Sequence, residues 1–241
     1  MKELQHIKES QLTLQYHDEA ITPYSDLGQL LEELGKGMTV IKDGKGAFVA
    51  NVRMQGKDCI FKIPRGRNRN AWERFSTLFR QPDVLRFLRW RLVLKDLGLT
   101  APKPLVTGVV RQFGLATLTF IVYEKVPGKV GETETEIAAI SDALARVHRA
   151  GYLRRDAHLR NFLIMPDEKV CIIDYRLSRP LLFPTAQKGV ECEKLIKFAP
   201  SAANYIDRSY LNSVGFKAME FRRFLKQKLK WLSKLFKPKR N

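Results

Sequence analysis

The sequence contains few cysteines and no long apolar run. Cys59, Cys171 and Cys192 form no closely spaced pair, and an odd number cannot all pair within the chain. A disulfide framework and a cysteine-based zinc site are therefore not expected. The longest uninterrupted apolar stretches, such as residues 120–123, are too short to span a bilayer. Residues 1–20 have no apolar segment of the signal-peptide kind, so we expect a cytoplasmic protein with reduced thiols.

Acidic residues are also scarce. The chain has 25 Asp and Glu against 43 Lys and Arg, which gives a net charge of +18. An excess of this size indicates a polyanionic partner, which could be a nucleic acid, an anionic membrane or a phosphorylated glycan. The charge does not choose among these three. Because we find no nucleic-acid-binding motif and no aromatic platform pattern, we do not expect nucleic acid to be the partner.

Apolar periodicity predicts an α+β protein in which a small antiparallel sheet is followed by a mainly helical part. Residues 126–128, Val-Pro-Gly, look like the boundary between the two parts. The predicted strands cover residues 38–42, 48–54, 59–63, 105–110, 115–124, 162–165 and 170–173, and the predicted helices cover residues 71–79, 83–97 and 133–150. Thr133 and Glu136 form a capping-box pattern at the start of the last of these helices.

The pattern with the clearest chemistry lies just after that helix. Asp156 and Asn161 are five residues apart on a loop between a helix and a strand, and Asp174 directly follows the next strand. A hairpin turn would return Asp174 to the same end as Asn161. Phosphoryl transfer requires a carboxylate that receives the proton of the attacking hydroxyl and oxygen ligands that hold Mg²⁺ on the nucleotide phosphates. The pattern therefore indicates a kinase.

This stretch resembles the Asp-x-x-x-x-Asn catalytic loop and the metal-binding Asp of protein kinases. Its Asp-x-His-x-x-Asn form, with His158, is more similar to small-molecule and glycan kinases such as the choline and aminoglycoside kinases. The resemblance implies a bilobal protein-kinase-like fold that uses ATP and Mg²⁺ (Mg2+). It further implies that Asp156 is the catalytic base, that Asn161 and Asp174 are the metal ligands, and that His158 has a supporting role.

Candidate nucleotide-binding residues lie in the first part of the chain. Gly44 and Gly46 resemble a glycine-rich loop whose amides could cradle phosphates, although an ordinary hairpin turn explains them equally well. Lys62, which apolar residues flank on both sides, resembles the strand lysine that contacts the nucleotide phosphates. Glu124 falls where the hinge between kinase lobes offers backbone groups to adenine.

The sequence also departs from the kinase pattern. Arg154 replaces the usual His before the catalytic Asp, and Tyr-Arg replaces Phe-Gly at residues 175–176. The predicted helix at residues 83–97 contains no Glu that could pair with Lys62. Glu73, in the preceding helical stretch, is then the first candidate partner, and Asp83 and Asp96 are poorer ones. A pseudokinase therefore remains an alternative.

Two features bear on the acceptor. The segment after Asp174 is short and has no Ala-Pro-Glu motif, which favours a small molecule or a glycan over a peptide. Residues 222–241 contain nine basic and no acidic residues, interspersed with apolar ones. This pattern is typical of a basic amphipathic helix at a membrane surface. A helix that packs its apolar stripe on its own domain would show the same pattern.

Over nearly its whole length, the chain resembles the bacterial lipopolysaccharide core heptose(II) kinase family, most clearly at residues 59–64, 97–104 and 155–174. The resemblance implies a kinase N-lobe over residues 1–125, a C-lobe over residues 126–215 and a basic tail over residues 216–241. It also implies ATP-dependent phosphorylation of a heptose hydroxyl in the lipid-linked lipopolysaccharide inner-core glycan. The protein would then be peripheral, at the anionic cytoplasmic face of the inner membrane. The alternatives are a kinase of another core sugar, such as 3-deoxy-D-manno-octulosonic acid (Kdo), and a membrane-associated pseudokinase scaffold.

Overall fold

The structure is a computed structural model, and it describes residues 6–9 and 12–235 of the 241-residue chain. It divides into two compact units. Unit 1 comprises the chain up to Asp96 together with Thr100–Pro127. Unit 2 comprises Leu97–Leu99 and the chain from Gly128 onward.

Unit 1 is built on a seven-stranded antiparallel sheet with the strand order β1-β2-β6-β7-β5-β4-β3. Its elements are β1 (His6–Glu9), β2 (Leu12–Tyr16), α1 (Leu27–Gly35), β3 (Thr39–Asp43), β4 (Phe48–Met54), β5 (Lys57–Ile63), α2 (Arg65–Arg69), α3 (Ala71–Ser76), α4 (Asp83–Asp96), β6 (Pro104–Gln112) and β7 (Leu115–Glu124). Apolar residues of β2, β4, β5, β6, β7 and α1 form one buried cluster. Burial of this cluster stabilises the sheet and therefore fixes the position of β5, which carries Lys62.

Unit 2 is mainly helical and contains a three-stranded antiparallel sheet with the order β10-β9-β8. Its elements are β8 (Lys129–Val130), α5 (Glu134–Arg149), a 3₁₀ helix (Leu159–Asn161), β9 (Phe162–Ile164), β10 (Val170–Ile172), α6 (Pro184–Ile196), a second 3₁₀ helix (Pro200–Tyr205), α7 (Arg208–Leu211) and α8 (Val214–Leu235). The capping box predicted for α5 is confirmed, since Thr133 Oγ1 accepts from the Glu136 amide and Glu136 Oε2 accepts from the Thr133 amide.

The last described helix, α8, begins inside unit 2. A Cβ added at Gly215 would lie 2.0 Å from the carbonyl oxygen of Ala186, so the first turn of α8 packs closely on α6. Phe216 is buried, and Arg223 forms a 3.0 Å ion pair with the buried Glu193 of α6. The start of the predicted tail at residue 216 thus falls within a packed helix. Residues 236–241 of that tail lie outside the described residues.

The predicted α+β class is confirmed, although unit 1 contains more structure than the sequence analysis foresaw. Two strands at the N-terminal end, β1 and β2, extend the sheet, and α1 packs beside β4. The helix predicted for residues 71–79 ends at Ser76 and continues as hydrogen-bonded turns to Arg80. Across residues 6–9 and 12–235, none of the helices has both the length and the apolar character that a membrane span requires.

Gly108 provides a test of the unit 1 core. It lies opposite Phe120 in the β6–β7 ladder, and a Cβ there would lie 2.1 Å from the ring of this buried residue. Gly108→Ala should therefore lower the free energy of unfolding by about 1–3 kcal/mol, the usual cost of overpacking. Urea denaturation measures the change. Gly35→Ala is the matched control, because its Cβ would meet no atom within 4 Å. Equal midpoints for the two variants would contradict this packing.

Candidate active site

The loop that follows α5 carries two of the predicted site residues, the candidate base Asp156 and the candidate metal ligand Asn161. The Asn161 amide nitrogen donates to the main-chain carbonyl of Asp156 at 3.1 Å and to the Asp156 carboxylate at 3.3 Å. The Asp156 side chain is 62% exposed, so its carboxylate is accessible from solvent. The amide of Asn161 therefore orients the carboxylate of the candidate base, and its own side-chain oxygen would be the atom available to a cation.

The β9–β10 hairpin places the third predicted residue beside this loop. Ile172 lies opposite Phe162 in the ladder, and the Ile173 amide donates to the Asn161 carbonyl at 3.0 Å. Asp174 is the next residue and has a φ of 50°, in the left-handed region where few non-glycine residues are found. The hairpin thus returns Asp174 to the end of the sheet where Asn161 lies.

Arg154 connects the backbone of the loop to that of the hairpin. Its side chain is fully buried, and its guanidinium donates to the main-chain carbonyls of Asp156, Asn161 and Ile173. The guanidinium also lies 5.0 Å from the ring centroid of Phe162. Arginine suits this position because it has five N–H donors in a rigid planar fork. Arg154 therefore links main-chain groups at or next to all three predicted residues.

Arg154 remains a cation although it is out of contact with water. Burial lowers its pKa to about 10, while the charges of Asp174, Asp156 and Glu191 act in the opposite direction. Since a pKa of about 10 is well above neutral pH, the guanidinium stays protonated. Its charge faces the same carboxylates that the kinase chemistry would use.

Glu191 of α6, which the sequence analysis did not identify, holds the beginning of the loop. Its side chain is buried, and Oε2 accepts from the Arg154 amide at 3.0 Å while Oε1 accepts from the Arg155 amide. The same Oε2 lies 3.0 Å from Nε2 of His148 on α5. The only available sequence signal was an acidic residue within an otherwise ordinary helical pattern, and it does not reveal these partners.

Lys194, one turn further along α6, places a positive charge next to the candidate base. Its Nζ donates to the Arg155 carbonyl at 3.1 Å and lies 4.0 Å from Asp156 Oδ1. The Lys194 side chain is 34% exposed and is therefore partly accessible to solvent. The sequence analysis missed this residue as well, since it is 38 positions from Asp156 in the chain.

His158 supports the loop through packing and a local hydrogen bond. Its Nδ1 accepts from the Arg160 amide at 3.2 Å, and its ring lies 3.8 Å from the ring of Phe198. Burial lowers the pKa of His158 below its ordinary value of 6.5, against the opposing effect of Asp156. The imidazole is therefore neutral at pH 7.

The predicted nucleotide-binding residues all lie in unit 1. Lys62 is half-buried on β5, opposite Val49 of β4 and Ile121 of β7. Glu124 is at the exposed end of β7, where its amide donates to the carbonyl of Lys103 at 2.9 Å.

The turn between β3 and β4 contains Gly44 and Gly46. The Gly44 amide donates to the Ala47 carbonyl at 3.1 Å, and the Gly66 amide donates to the Gly46 carbonyl at 2.8 Å. Neither Gly44 nor Gly46 has a φ in the left-handed region, so the turn itself does not require glycine.

Glu73, the candidate partner of Lys62, forms a 2.6 Å ion pair with Arg80.

The oxygen donors of Asn161 and Asp174 suit Mg²⁺, which prefers carboxylate and carbonyl oxygens and usually keeps several waters. Within residues 6–9 and 12–235, no group of three or more His, Cys, Asp and Glu side chains forms a metal cluster. Two protein ligands are sufficient for a Mg²⁺ ion that also binds nucleotide phosphates. The residues present therefore fit this ion.

Comparison with known proteins identifies the fold. No family model matches the sequence, and no curated protein matches it. The solved structure of WaaP in complex with acyl carrier protein is similar to this chain, with a TM-score of 0.53 and 17% sequence identity. The match covers 83% of this chain and 92% of that one. The fold is therefore protein-kinase-like, as the sequence analysis predicted.

Replacing Arg154 by Lys tests its structural role. A lysine has one ammonium group and cannot bond three separate carbonyls, so buried acceptors would lose their donors. We expect Arg154→Lys to lower the free energy of unfolding by about 3 kcal/mol or more, as measured by chemical denaturation. Arg160→Lys, on the same loop but exposed, should change it by less than about 0.5 kcal/mol. Equal stability of the two variants would contradict the role assigned to Arg154.

The titration of His158 can be followed by NMR of the imidazole protons. Because burial favours the neutral ring, we expect a midpoint below 6.5, with the resonance identified by its loss in His158→Gln. Its contribution to stability should be complete above pH 6.5 and should decrease as the pH falls from there toward the folded pKa. A midpoint above 6.5 would show that the charge of Asp156 outweighs burial.

Proposed function

We propose that this protein is a kinase that transfers the γ-phosphoryl group of ATP to a heptose hydroxyl of the lipopolysaccharide inner core. The observation that carries the proposal is the set of bonds from Arg154 to the carbonyls of Asp156, Asn161 and Ile173. These bonds fix the backbone at Asp156 and Asn161 of the loop relative to Ile173 of the hairpin, the residue before Asp174. Phosphoryl transfer needs such an arrangement, because positioning and electrostatics provide most of the catalysis.

In the proposed reaction, Asp156 receives the proton of the acceptor hydroxyl. The hydroxyl oxygen attacks the γ-phosphorus of ATP, a new O–P bond forms, and the bond to the β-phosphate oxygen breaks to release ADP. Asn161 and Asp174 would hold Mg²⁺, which would neutralise charge on the phosphates. Lys194, close to Asp156, provides a further positive charge on the acceptor side of the loop.

Unit 1 supplies the nucleotide-binding residues in this proposal. Lys62 contacts the nucleotide phosphates from the centre of the sheet, and the turn with Gly44 and Gly46 covers them through main-chain amides. The backbone at Glu124 meets the adenine ring. The support for these three assignments is the resemblance to kinases, together with the position of Lys62 on a central strand.

The acceptor is inferred from three kinds of support. The first is the resemblance of residues 59–64, 97–104 and 155–174 to the heptose kinase family, together with the similar fold of WaaP. Only nine residues, 175–183, separate Asp174 from the start of α6, which leaves little chain to hold a peptide. The net charge of +18 suits a phosphorylated glycan anchored in an anionic membrane. We therefore place the protein at the cytoplasmic face of the inner membrane.

A membrane-associated pseudokinase is the second candidate. It is favoured by the departures from the kinase pattern, which are Tyr-Arg at residues 175–176 and the absence of a glutamate from residues 83–97. A kinase of Kdo would use the same residues as a heptose kinase. Identification of the phosphorylated sugar distinguishes these two acceptors.

Mass spectrometry of purified core oligosaccharide tests the proposal. The oligosaccharide is taken from cells that lack this protein and is incubated with the protein, ATP and Mg²⁺. We expect a gain of one phosphate, and fragmentation should locate it on a heptose. Asp156→Asn should lower the rate by about 10²–10⁴-fold, since it removes the general base, and should keep ATP binding.

Asp167→Asn is the matched control, because Asp167 lies in the exposed β9–β10 turn and pairs with Lys169. It should leave the rate unchanged. No phosphate gain by a protein that binds ATP would favour the pseudokinase. Phosphate on Kdo would contradict the heptose assignment alone.

A further inference from the structure

The α3 segment of unit 1 and the turns that follow it contact the sheet through polar groups. Thr77 Oγ1 accepts from the Ala116 amide of β7 at 2.9 Å. Arg111 of β6 donates to the Thr77 carbonyl at 3.4 Å. Glu73 and Arg80 pair with each other at 2.6 Å within the segment. This polar contact is unusual, since surface helices normally pack an apolar stripe on the protein.

The apolar side chains of the same segment are exposed. Trp72 is 72% exposed, Phe75 49%, Leu78 47% and Phe79 80%. The ring centroids of Trp72 and Phe75 are 6.0 Å apart, and those of Phe75 and Phe79 are 5.6 Å apart. The aromatic rings thus form a continuous row on the outer side. Large exposed apolar patches of this kind indicate a site of protein or membrane interaction.

The tip of the β6–β7 hairpin extends this surface. Phe113 is fully exposed and has a φ of 50°, which is unfavourable for a bulky residue. The adjacent Gly114 is close to Leu78, since a Cβ at Gly114 would lie 3.2 Å from Leu78 Cδ2. Arg111 donates both to the Gly114 carbonyl at the tip, at 2.6 Å, and to the Thr77 carbonyl of the α3 segment. It therefore joins the tip to that segment. We define the aromatic patch by five residues, which are Trp72, Phe75, Leu78, Phe79 and Phe113.

The surroundings of the patch are basic. Residues 65–80 contain five arginines and one glutamate. Arg69 and Arg80 are exposed, and Arg111 lies at the base of the hairpin tip. Tryptophan and phenylalanine flanked by arginine are the residues that favour the boundary between lipid tails and headgroups. An anionic surface would complement the positive charge of these arginines.

We propose that the aromatic patch is a membrane-binding surface that inserts into the headgroup region of an anionic bilayer, with the arginines on lipid phosphates. The choice of a bilayer over a protein partner rests on this charge complementarity and on the proposed function, which places the acceptor in an anionic membrane. The surface belongs to unit 1, whereas the basic helix α8 belongs to unit 2.

Vesicle partitioning of the full-length chain tests the patch. Phe79→Ser with Phe113→Asn removes two inserting rings, and asparagine suits the left-handed φ at position 113. Partitioning into phosphatidylglycerol-containing vesicles should fall by about tenfold or more, since each buried Phe contributes strongly to transfer from water. Val40→Ser with Ile41→Asn is the matched control, because these β3 residues of unit 1 are 53% and 56% exposed and lie outside the patch. It should partition like the wild type.

Fluorescence supplies a second measurement that does not depend on the double variant. Lipids brominated near the headgroup should quench the wild type, and Trp72→Phe should lose most of that quenching while it still binds. The buried Trp90 should contribute little, and both proteins carry Trp231→Phe, because the third tryptophan lies on the basic helix α8 and could itself be quenched. Equal partitioning of wild type and patch variant, or equal quenching of wild type and Trp72→Phe, would overturn the proposal. Equal binding to phosphatidylcholine vesicles would also overturn it, because the arginines would then have no part.

These outcomes are independent of the proposed kinase activity. The vesicle measurements use no ATP, and the patch variant should phosphorylate soluble core oligosaccharide at the wild-type rate. Asp156→Asn should bind vesicles like the wild type. If the protein binds vesicles through the patch but transfers no phosphate, only the proposed reaction is contradicted. If the protein transfers phosphate but does not bind vesicles, only the membrane-binding patch is contradicted.

Discussion

The guanidinium of Arg154 is a positive charge held out of contact with solvent, and the candidate active site is arranged around it. It bonds the carbonyls of Asp156 and Asn161 on the loop and of Ile173 at the end of the hairpin. A buried charge is costly unless it is hydrogen-bonded and near opposite charge. Here both conditions are met, because Asp156 and Asp174 lie close enough to favour the protonated form. The same cation therefore stabilises the loop and the carboxylates that the chemistry needs.

The second constraint comes from α6, which connects this loop to the rest of unit 2. Glu191 accepts from the amides at the start of the loop, and Lys194 lies beside the candidate base. Helix α6 is itself packed against α8 through Gly215 and the ion pair of Arg223 with Glu193. The basic C-terminal helix is therefore connected through packed contacts to the catalytic loop. Its first turns have a structural role, whatever its later residues bind.

Much of the site was predictable because its signals are local. The spacing of Asp156 and Asn161 and the short hairpin before Asp174 depend on a few consecutive residues, and hairpin geometry then dictates which ends meet. The capping box of Thr133 and Glu136 is local for the same reason. Arg154 was visible only as a departure from the kinase pattern. Its role could not be inferred, since a buried cation is recognised by its partners and those partners come from three separate elements.

The sequence by itself determined the α+β class and most strand and helix positions, and it predicted candidate residues for phosphoryl transfer, because periodicity, turns and short motifs act over a few residues. Only the tertiary structure decided that Glu191 and Lys194 of α6 reach the catalytic loop, since contacts across many intervening residues leave no periodic signal. It also decided that the α3 segment turns its polar side inward and leaves Trp72 and Phe79 exposed. An amphipathic sequence pattern indicates that a helix has a polar and an apolar face, but it does not indicate which face packs on the protein. Here the polar face packs on the sheet, because β6 and β7 offer hydrogen-bonding partners to it.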